Sequence, residues 1–396
     1  MYDTPCHAWL RWLQDGALIR ALRKSRCKER KVRARQLKVL DLLGEEGVRF
    51  RIPLFQRSYA WDRSQCQDLA ADLLRAAREG KPHFASTVLY VPAEREAGLG
   101  SGSRGNQPAV RVLDVVDGQQ RLVTLSLILL ALCERLEERE ERLPGLGPHD
   151  LRATFLQQGE GCKMDLSLVD RATLQALVEG RPLPTRPSAR VVDSFAYFRD
   201  LMGEPDFDPD SWWRGLRSLF CIAVELDERD HPQAVFESLN AKGAGLVTAD
   251  MVRNFLLFGR SHGEQRRLYE DYWEPMQALF GDDPGSLRMN NAILGWLSVR
   301  SPKNRAHRDK QAFRVFRQYF EQQYQGSVEE LLKELYSFCM VWAENYRYHA
   351  VKAFRSADWA SIGKKTLVSD RPKKPVGEET ARYYAEHFGV NVDRQW

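Results

Sequence analysis

The sequence lacks the arrangements of cysteine and histidine that commonly hold a protein together through disulfides or zinc. Its seven cysteines are scattered, and no two of them form a C-x-x-C pair. An odd number of scattered cysteines is typical of free thiols in a reducing cytoplasm and argues against a disulfide framework. The eight histidines are far apart, and no two are separated by the four residues of a helical zinc site. A structural zinc ion is therefore not expected.

The sequence also lacks a long hydrophobic run. The longest one, residues 122–132, is far shorter than the roughly 20 residues that a helix needs to cross a bilayer. Asp3, Arg11 and Asp15 interrupt the apolar residues near the start, so the layout of a signal peptide is missing. There is no G-x-x-x-x-G-K-[ST] phosphate loop and no nucleophile elbow. We therefore expect a soluble, cytoplasmic protein with no membrane partner.

Positive charge is concentrated in one segment. The chain has a net charge of +5, but residues 20–38 hold ten basic residues and one acidic residue, so this segment carries +9 and the rest about −4. Such a segment suits DNA backbones or acidic partners, although a solvated, charge-rich helix has the same composition. With 396 residues, 43% of them hydrophobic, the chain is long enough for two or three globular domains.

The most informative stretch is residues 110–121, VRVLDVVDGQQR, with the apolar run after it. Residues 110–116 are predicted to form a buried strand, Gly118 a turn, and residues 119–141 a helix. A helix that begins at such a turn presents free backbone N–H groups and the positive end of its dipole, which favours phosphate binding. An ordinary strand–turn–helix junction with solvated polar residues would have the same pattern.

The polar residues around Gly118 suggest the chemistry of such a site. Asp117, Gln119, Gln120 and Arg121 place one carboxylate, two amides and one guanidinium around the turn. Asp117 would hold Mg²⁺ beside bound phosphates, unless it serves only as a helix cap. Asp114 lies three residues earlier, and because side chains alternate along a strand, at most one of the two carboxylates faces the site.

Two other stretches could contribute to the same site. Residues 55–61, FQRSYAW, follow a predicted strand at 50–54, and Gln56 and Arg57 could add hydrogen-bond donors. Residues 232–258 are predicted to form two helices joined by a glycine-containing turn, with Thr248 as the N-cap of the second. Asn240, Lys242 and the amides of this turn, which contains Gly243, could form another wall of the site. Alternatively, the turn is a helix–turn–helix corner whose glycines only supply positive φ angles.

The remaining periodicity predicts a mixture of strands and helices, followed by helices alone. Asp62 and Gln65 are predicted to cap a helix that ends at Gly80. Further elements are predicted as strands at 83–91 and 220–226 and as helices at 191–202, 211–218, 286–299, 310–323 and 328–349. We expect an α+β fold divided into a basic arm (1–38), a main domain (39–260), a helical domain (261–350) and a loosely ordered tail (351–396).

Three segments, in this order, resemble the N-terminal domain family of GmrSD-type, modification-dependent (type IV) restriction enzymes. They are IPLFQRSYAW at 52–61, DGQQRL at 117–122 and FESLNAKGAGL at 236–246. The resemblance covers roughly residues 36–275, and the same family is similar to the N-terminal half of SspE-like defence proteins. The combination is specific, even though each segment alone is not.

The resemblance implies a fold similar to ParB and sulfiredoxin, with a small mixed sheet and a phosphate-binding G-x-x-R turn at residues 118–121. It implies that the domain binds and hydrolyses a nucleoside triphosphate (NTP) with Mg²⁺, coupled to recognition of modified foreign DNA. From the residues and the resemblance together, we expect Asp117, Gln120 and Arg121 to act in catalysis and Asp117 also to hold the metal. Nucleotide binding is expected from Gly118, Gln119, Gln56, Arg57, Asn240, Lys242 and Gly243.

The chain departs from the family pattern at its C-terminal end. Many members carry an HNH nuclease domain, which needs clustered histidines, but the last 80 residues contain only His349 and His387. We expect DNA cleavage to belong to a separate HNH subunit, or this chain to be a remnant. Two alternatives stay open: the ParB-like domain is itself a nuclease, or the protein is a nucleotide-gated DNA-binding regulator that hydrolyses nothing. Assembly into a homo-oligomer is also left open.

Overall fold

The chain divides into two compact units, Met1–Lys242 and Gly243–Trp396. The structure is a computed structural model that describes residues 33–93, 110–159, 161–227, 230, 233, 235, 247–281, 287–301 and 309–356. Within these residues, unit 1 combines strands with helices and unit 2 is helical. The predicted α+β class, with a mixed sheet followed by helices, is confirmed.

Unit 1 is built on a six-stranded mixed sheet with the strand order β1-β8-β3-β4-β2-β7. The β1–β8 and β3–β4 pairs are antiparallel, whereas β8–β3, β4–β2 and β2–β7 are parallel. The strands are β1 Arg33–Lys38, β2 Val48–Arg51, β3 His83–Pro92, β4 Arg111–Asp117, β7 Met164–Asp165 and β8 Leu219–Glu225, and a separate two-stranded sheet pairs β5 Gln157–Gln158 with β6 Gly161–Cys162. The strands predicted at 83–91, 110–116 and 220–226 are confirmed to within one residue at each end, whereas the strand predicted at 50–54 lies at 48–51.

The core of unit 1 surrounds one long helix, α3, whose sequence is apolar on almost every side. Fourteen of its twenty residues are buried, as expected of a helix enclosed by other elements. It packs against α6 and the α4 region. The helices of unit 1 are α1 Val39–Leu43, α2 Arg63–Glu79, α3 Gln119–Glu138, α4 Pro148–Leu151 with a π-helical turn at Arg152–Leu156, α5 Leu168–Val178, α6 Ala189–Gly203 and α7 Pro209–Ser218.

Local sequence signals fix both ends of α2 as predicted. The Ser64 N–H donates to Asp62 Oδ1 over 2.8 Å, and Gln65 Oε1 accepts the Asp62 N–H over 2.8 Å. These two bonds satisfy N–H groups that the first turn of a helix leaves without partners. At the other end, Gly80 adopts the left-handed conformation and its N–H donates to Ala76 O.

Replacing Asp62 with alanine removes one side of this cap. We expect Asp62→Ala to lower the free energy of unfolding by about 1 kcal/mol, because the Ser64 N–H loses its acceptor. Urea unfolding followed by circular dichroism measures the change. Asp68→Ala, an exposed position within the same helix, is the control and should change stability by less than about 0.5 kcal/mol. Equal effects of the two substitutions would contradict the capping role.

The basic segment lies partly within the folded body, whereas the sequence predicts an arm outside it. Its last six residues form β1 at the edge of the sheet and pair with β8 from Arg33–Glu225 to Lys38–Phe220. Five of these six side chains are exposed, and only Leu37 is partly buried. The strand is held by backbone hydrogen bonds more than by buried side chains, so the alternating apolar pattern that would reveal it in the sequence is missing.

The helices predicted at 286–299 and 310–323 are present in unit 2 and shifted by one residue, whereas the helix predicted at 328–349 continues to Ser356, into the segment predicted as a loosely ordered tail. Thr248 is the first residue of its helix, and Val247 occupies the N-cap position without a side-chain hydrogen bond. Tyr269, Trp273 and Met276 are all buried, as their shared face predicts. The helices are α8 Thr248–Leu257, α9 His262–Leu268, α10 Glu274–Leu279 after a π-helical turn at Tyr269–Trp273, α11 Leu287–Arg300, α12 Asp309–Gln322 and α13 Val328–Ser356. Across the described ranges, none of the helices combines the length and the hydrophobicity that a membrane crossing requires.

Candidate functional site

The turn at Gly118 joins the end of β4 to the beginning of α3. Gly118 has φ 91° and ψ 0°, a left-handed conformation that side chains other than glycine rarely adopt. A Cβ atom at this position would lie 2.8 Å from the carbonyl oxygen of Thr87 on β3. The first helical hydrogen bond runs from the Leu122 N–H to Gly118 O over 3.1 Å. The N–H groups of residues 119–121 therefore point out of the helix end, where the dipole favours an anion.

Two buried amides attach residues 56–61, called the first loop below, to this turn. Gln56 and Gln119 are 5% and 7% exposed. Gln56 Nε2 donates to Val116 O over 2.7 Å, and Gln119 Nε2 donates to Gln56 Oε1 and to Arg57 O, both over 3.3 Å. The structure thus brings Gln56, Arg57 and Gln119 together at the end of β4, as predicted.

Gln120 makes a second connection to the first loop. Its Oε1 accepts the Ala60 N–H over 2.8 Å, and its Nε2 donates to Ser58 O over 3.2 Å. Both ends of this amide are engaged by loop backbone, so in this conformation the side chain holds the loop in place. A catalytic role for Gln120 stays a prediction.

Arg121 supplies a buried guanidinium group at this turn. Within the described residues, its Nε atom is the one cationic donor of the turn that has no hydrogen-bond partner. One of its terminal nitrogens donates to the carbonyl oxygen of Ala85. Its Cζ lies 5.5 Å from the centre of the Trp61 ring, a cation–π contact. Its Nε is buried, and no acceptor among the described residues reaches it. Burial lowers the pKa of the guanidinium, yet arginine stays charged in proteins.

Asp117 supplies the carboxylate of the site. Burial raises its pKa, while a hydrogen bond from the Gly118 N–H and the charges of Arg121 and Arg57 oppose that rise. The net direction is upward, so burial has the largest effect. Asp114, the other candidate carboxylate, is bound by Arg51 through two hydrogen bonds of 2.6 and 2.9 Å. This ion pair leaves Asp117 as the carboxylate of the turn.

Residues 39–257 match the family described as the N-terminal domain of the GmrSD restriction endonuclease. The chain belongs to this family. A comparison with curated proteins gives no match. The family relates the chain to DNA restriction, and all the site residues predicted from the sequence lie within the matched range.

Three predicted site residues of this GmrSD N-terminal domain cannot be placed. Asn240, Lys242 and Gly243 lie outside the described residues. The described site therefore consists of Gln56 and Arg57 from the first loop and residues 117–121 from the turn.

The donor set of this GmrSD N-terminal domain limits how a metal ion could bind. Within the residues that the structure describes, the His, Cys, Asp and Glu side chains form no group of three or more that could hold a metal ion. Mg²⁺ commonly binds through one or two carboxylates together with substrate phosphates and water. A single carboxylate at Asp117 fits this mode, but not a metal held by protein ligands alone.

Sequence reasoning missed two features of this GmrSD N-terminal domain. The carbonyl group of Ala85 holds Arg121, but a backbone acceptor leaves no signal in the sequence. Asp170 accepts the Tyr59 N–H over 2.7 Å, across 111 residues of chain. Tyr59 contributes only its backbone N–H to this bond, so the sequence carries no signal of this contact either.

The raised pKa of Asp117 gives the GmrSD N-terminal domain a testable pH dependence. The folded state favours the protonated carboxyl group, so the cost of ionising Asp117 develops as the pH rises above the ordinary pKa of 3.8 and is complete above its folded pKa. We expect Asp117→Asn to raise the melting temperature at pH 7. The gain should shrink as the pH falls and vanish below the ordinary pKa of 3.8. Melting curves from about pH 3 to pH 8 measure this, and a gain that grows toward low pH would contradict it.

Proposed function

We propose that this GmrSD N-terminal domain binds a nucleoside triphosphate at the Gly118 turn and hydrolyses it with Mg²⁺. In this proposal it is the sensor component of a modification-dependent restriction system that acts on foreign DNA. The observation that carries the proposal is the buried Arg121 Nε, which finds no acceptor among the described residues. An unpaired buried donor is costly, and a phosphate oxygen would be a suitable acceptor at the positive end of a helix.

Each residue of the site would have a distinct task. The N–H groups of residues 119–121 and the Arg121 guanidinium would bind phosphate oxygens and stabilise the negative charge of the transition state. Arg57 would add a second cation from the first loop, and Asn240 and Lys242, together with the turn at Gly243, would close the site from the third segment.

Asp117 would orient the water that attacks the γ-phosphorus and take up its proton as the bond to the β-phosphate oxygen breaks. A carboxylate with a raised pKa is a better proton acceptor than an ordinary one. Alternatively, Asp117 would hold Mg²⁺, which would neutralise phosphate charge.

DNA would be bound by the basic segment at residues 20–38. Contacts to the DNA backbone release counterions, so binding should weaken steeply as salt is added. An HNH nuclease would be the partner that cleaves the DNA, and self-association would be compatible with this role.

Phosphate release by the purified protein tests the proposal. The assay takes ATP, GTP, CTP and UTP with Mg²⁺, with and without modified DNA. Turnover of any of them supports an NTPase. Tight NTP binding without turnover in every condition would instead support a nucleotide-gated regulator, a candidate favoured by the engagement of both ends of the Gln120 amide with the loop. DNA cleavage without added nucleotide, lost in Asp117→Ala, would support the nuclease alternative.

A further inference from the structure

Unit 1 contains a buried carboxylate that the proposed chemistry does not use. Asp170 lies on α5 and is 4% exposed. Its Oδ2 accepts the Tyr59 N–H over 2.7 Å, and the side chain of Ser188 also hydrogen-bonds to the carboxylate. A carboxyl group is expensive to bury unless its hydrogen bonds are satisfied. The position of Asp170 therefore calls for an explanation beyond packing.

Tyr59, the partner of Asp170, lies in the middle of the first loop and is held at both ends. Its hydroxyl group lies 2.7 Å from Thr124 Oγ1. The same hydroxyl group donates to Ser194 Oγ on α6 over 3.3 Å, and Thr124 Oγ1 donates to Gln120 O over 2.8 Å. Tyr59 thus connects α5 to the second turn of α3 through the loop.

The loop is anchored from several sides by these contacts. Gln56 is bound to the end of β4 and the Ala60 N–H to Gln120, while Asp170 holds the Tyr59 backbone between them. The β4 and α3 anchors belong to the Gly118 turn itself. Two anchors come from separate helices: Ser194 on α6 accepts the Tyr59 hydroxyl hydrogen over 3.3 Å, and Asp170 on α5 accepts the Tyr59 backbone N–H. Asp170 is thus the anchor from a separate helix that holds the backbone of the loop.

We propose that Asp170 is a positioning residue that holds the first loop in its binding conformation before the triphosphate arrives. The loop then keeps Gln56 and Arg57 at the Gly118 turn. This inference rests on the proposed function. A preformed loop spares the ligand the free energy of ordering it, and a partly ordered loop lowers the apparent affinity by the fraction of molecules that are competent. Once the ligand is bound, the loop is ordered in either case. The residue should therefore affect KM more than kcat.

The experiment compares Asp170→Ala with Asp170→Asn in the full-length protein. Alanine leaves the buried Tyr59 N–H without its acceptor, whereas asparagine keeps a carbonyl oxygen for Tyr59 and an amide group for Ser188. Asp208→Ala is the matched control. Asp208 also accepts backbone N–H groups, at 3.1 and 3.2 Å, but at the start of α7 and without contact to the first loop.

We expect Asp170→Ala to raise KM for the triphosphate about tenfold and to leave kcat within about threefold, since one buried hydrogen bond is lost before binding. Asp170→Asn should restore KM to within about twofold of the original value, and Asp208→Ala should leave it unchanged. Hydrogen exchange should show faster exchange of residues 56–61 in Asp170→Ala, slowed again by saturating triphosphate.

Three outcomes would overturn the inference. The first is an unchanged KM in Asp170→Ala while the unmodified protein turns over NTP, which leaves the proposed function standing. The second is that Asp170→Ala and Asp208→Ala lose activity to the same extent and in step with a lowered melting temperature, since that shows a general loss of folding. The third is the absence of NTP binding by the unmodified protein, which overturns the proposed function as well.

Discussion

Arg121→Ala is expected to reduce NTP turnover by at least about 100-fold, because it removes the buried cation that would stabilise the phosphate charge of the transition state. The Nε atom of Arg121 is buried without an acceptor among the described residues. The carbonyl group of Ala85 and the ring of Trp61 fix the rest of the guanidinium. In the proposed function, a group held in this way would be preorganised for an anion, so we expect that water cannot replace it.

The control for this experiment separates charge from position. Arg121→Lys keeps the charge but not the planar group, so it should recover only part of the activity. Arg142→Ala removes a cation whose side chain is 72% exposed and pairs with Asp150, and it should leave turnover unchanged. The measurement is steady-state phosphate release, with melting temperatures to confirm folding. Full turnover in Arg121→Ala would place the chemistry elsewhere in the protein.

Gly118→Ala is expected to destabilise unit 1 by about 2 to 4 kcal/mol, the largest effect on stability that we predict. Alanine at φ 91° is strained, and its Cβ would lie 2.8 Å from Thr87 O and 3.3 Å from Val88 Cα. Relief of this contact would push β3 away from the start of α3 and displace the N–H groups of residues 119–121. Turnover should therefore fall together with stability.

Gly47→Ala is the control that separates the backbone strain of a positive φ from the steric clash of an added Cβ atom. Gly47 also has a positive φ, 70°, but nothing lies within 4 Å of a Cβ built there. We expect this substitution to cost only about 1 kcal/mol and to leave turnover unaffected. Urea unfolding curves measure both variants. Similar losses at the two positions would mean that the approach of Gly118 to β3 does not matter.

The elements that the sequence predicts well are those whose signals are local. Helix α2 is marked by Asp62 and Gln65 at one end and by Gly80 at the other, and the structure confirms both ends. Helix α3 is marked by its apolar run, yet it ends at Glu138 and not at Glu141. In that stretch only charged residues remain, so periodicity no longer identifies the last turn.

The candidate site is predictable only in part, because only some of its residues are adjacent in the sequence and carry a local signal. The turn at Gly118 follows from a strand, a glycine and a helix that are adjacent in the sequence. The partners of Gln119 and Gln120 are about 60 residues away, and Asp170 is farther still from Tyr59. Contacts of this kind depend on the packing of several elements, which propensity and spacing do not encode.

Strand β1 also determines where a shortened form of this domain could begin without exposing the edge of the sheet. The family match starts at residue 39, one residue after β1 ends. A polypeptide starting there would leave the edge of β8 bare, and a bare edge can recruit a strand from another molecule. In the intact chain the edge is occupied by a strand with three cations and no anion, which discourages such pairing. Resistance to aggregation is thus supplied by residues 33–38, a segment that the family boundary leaves out.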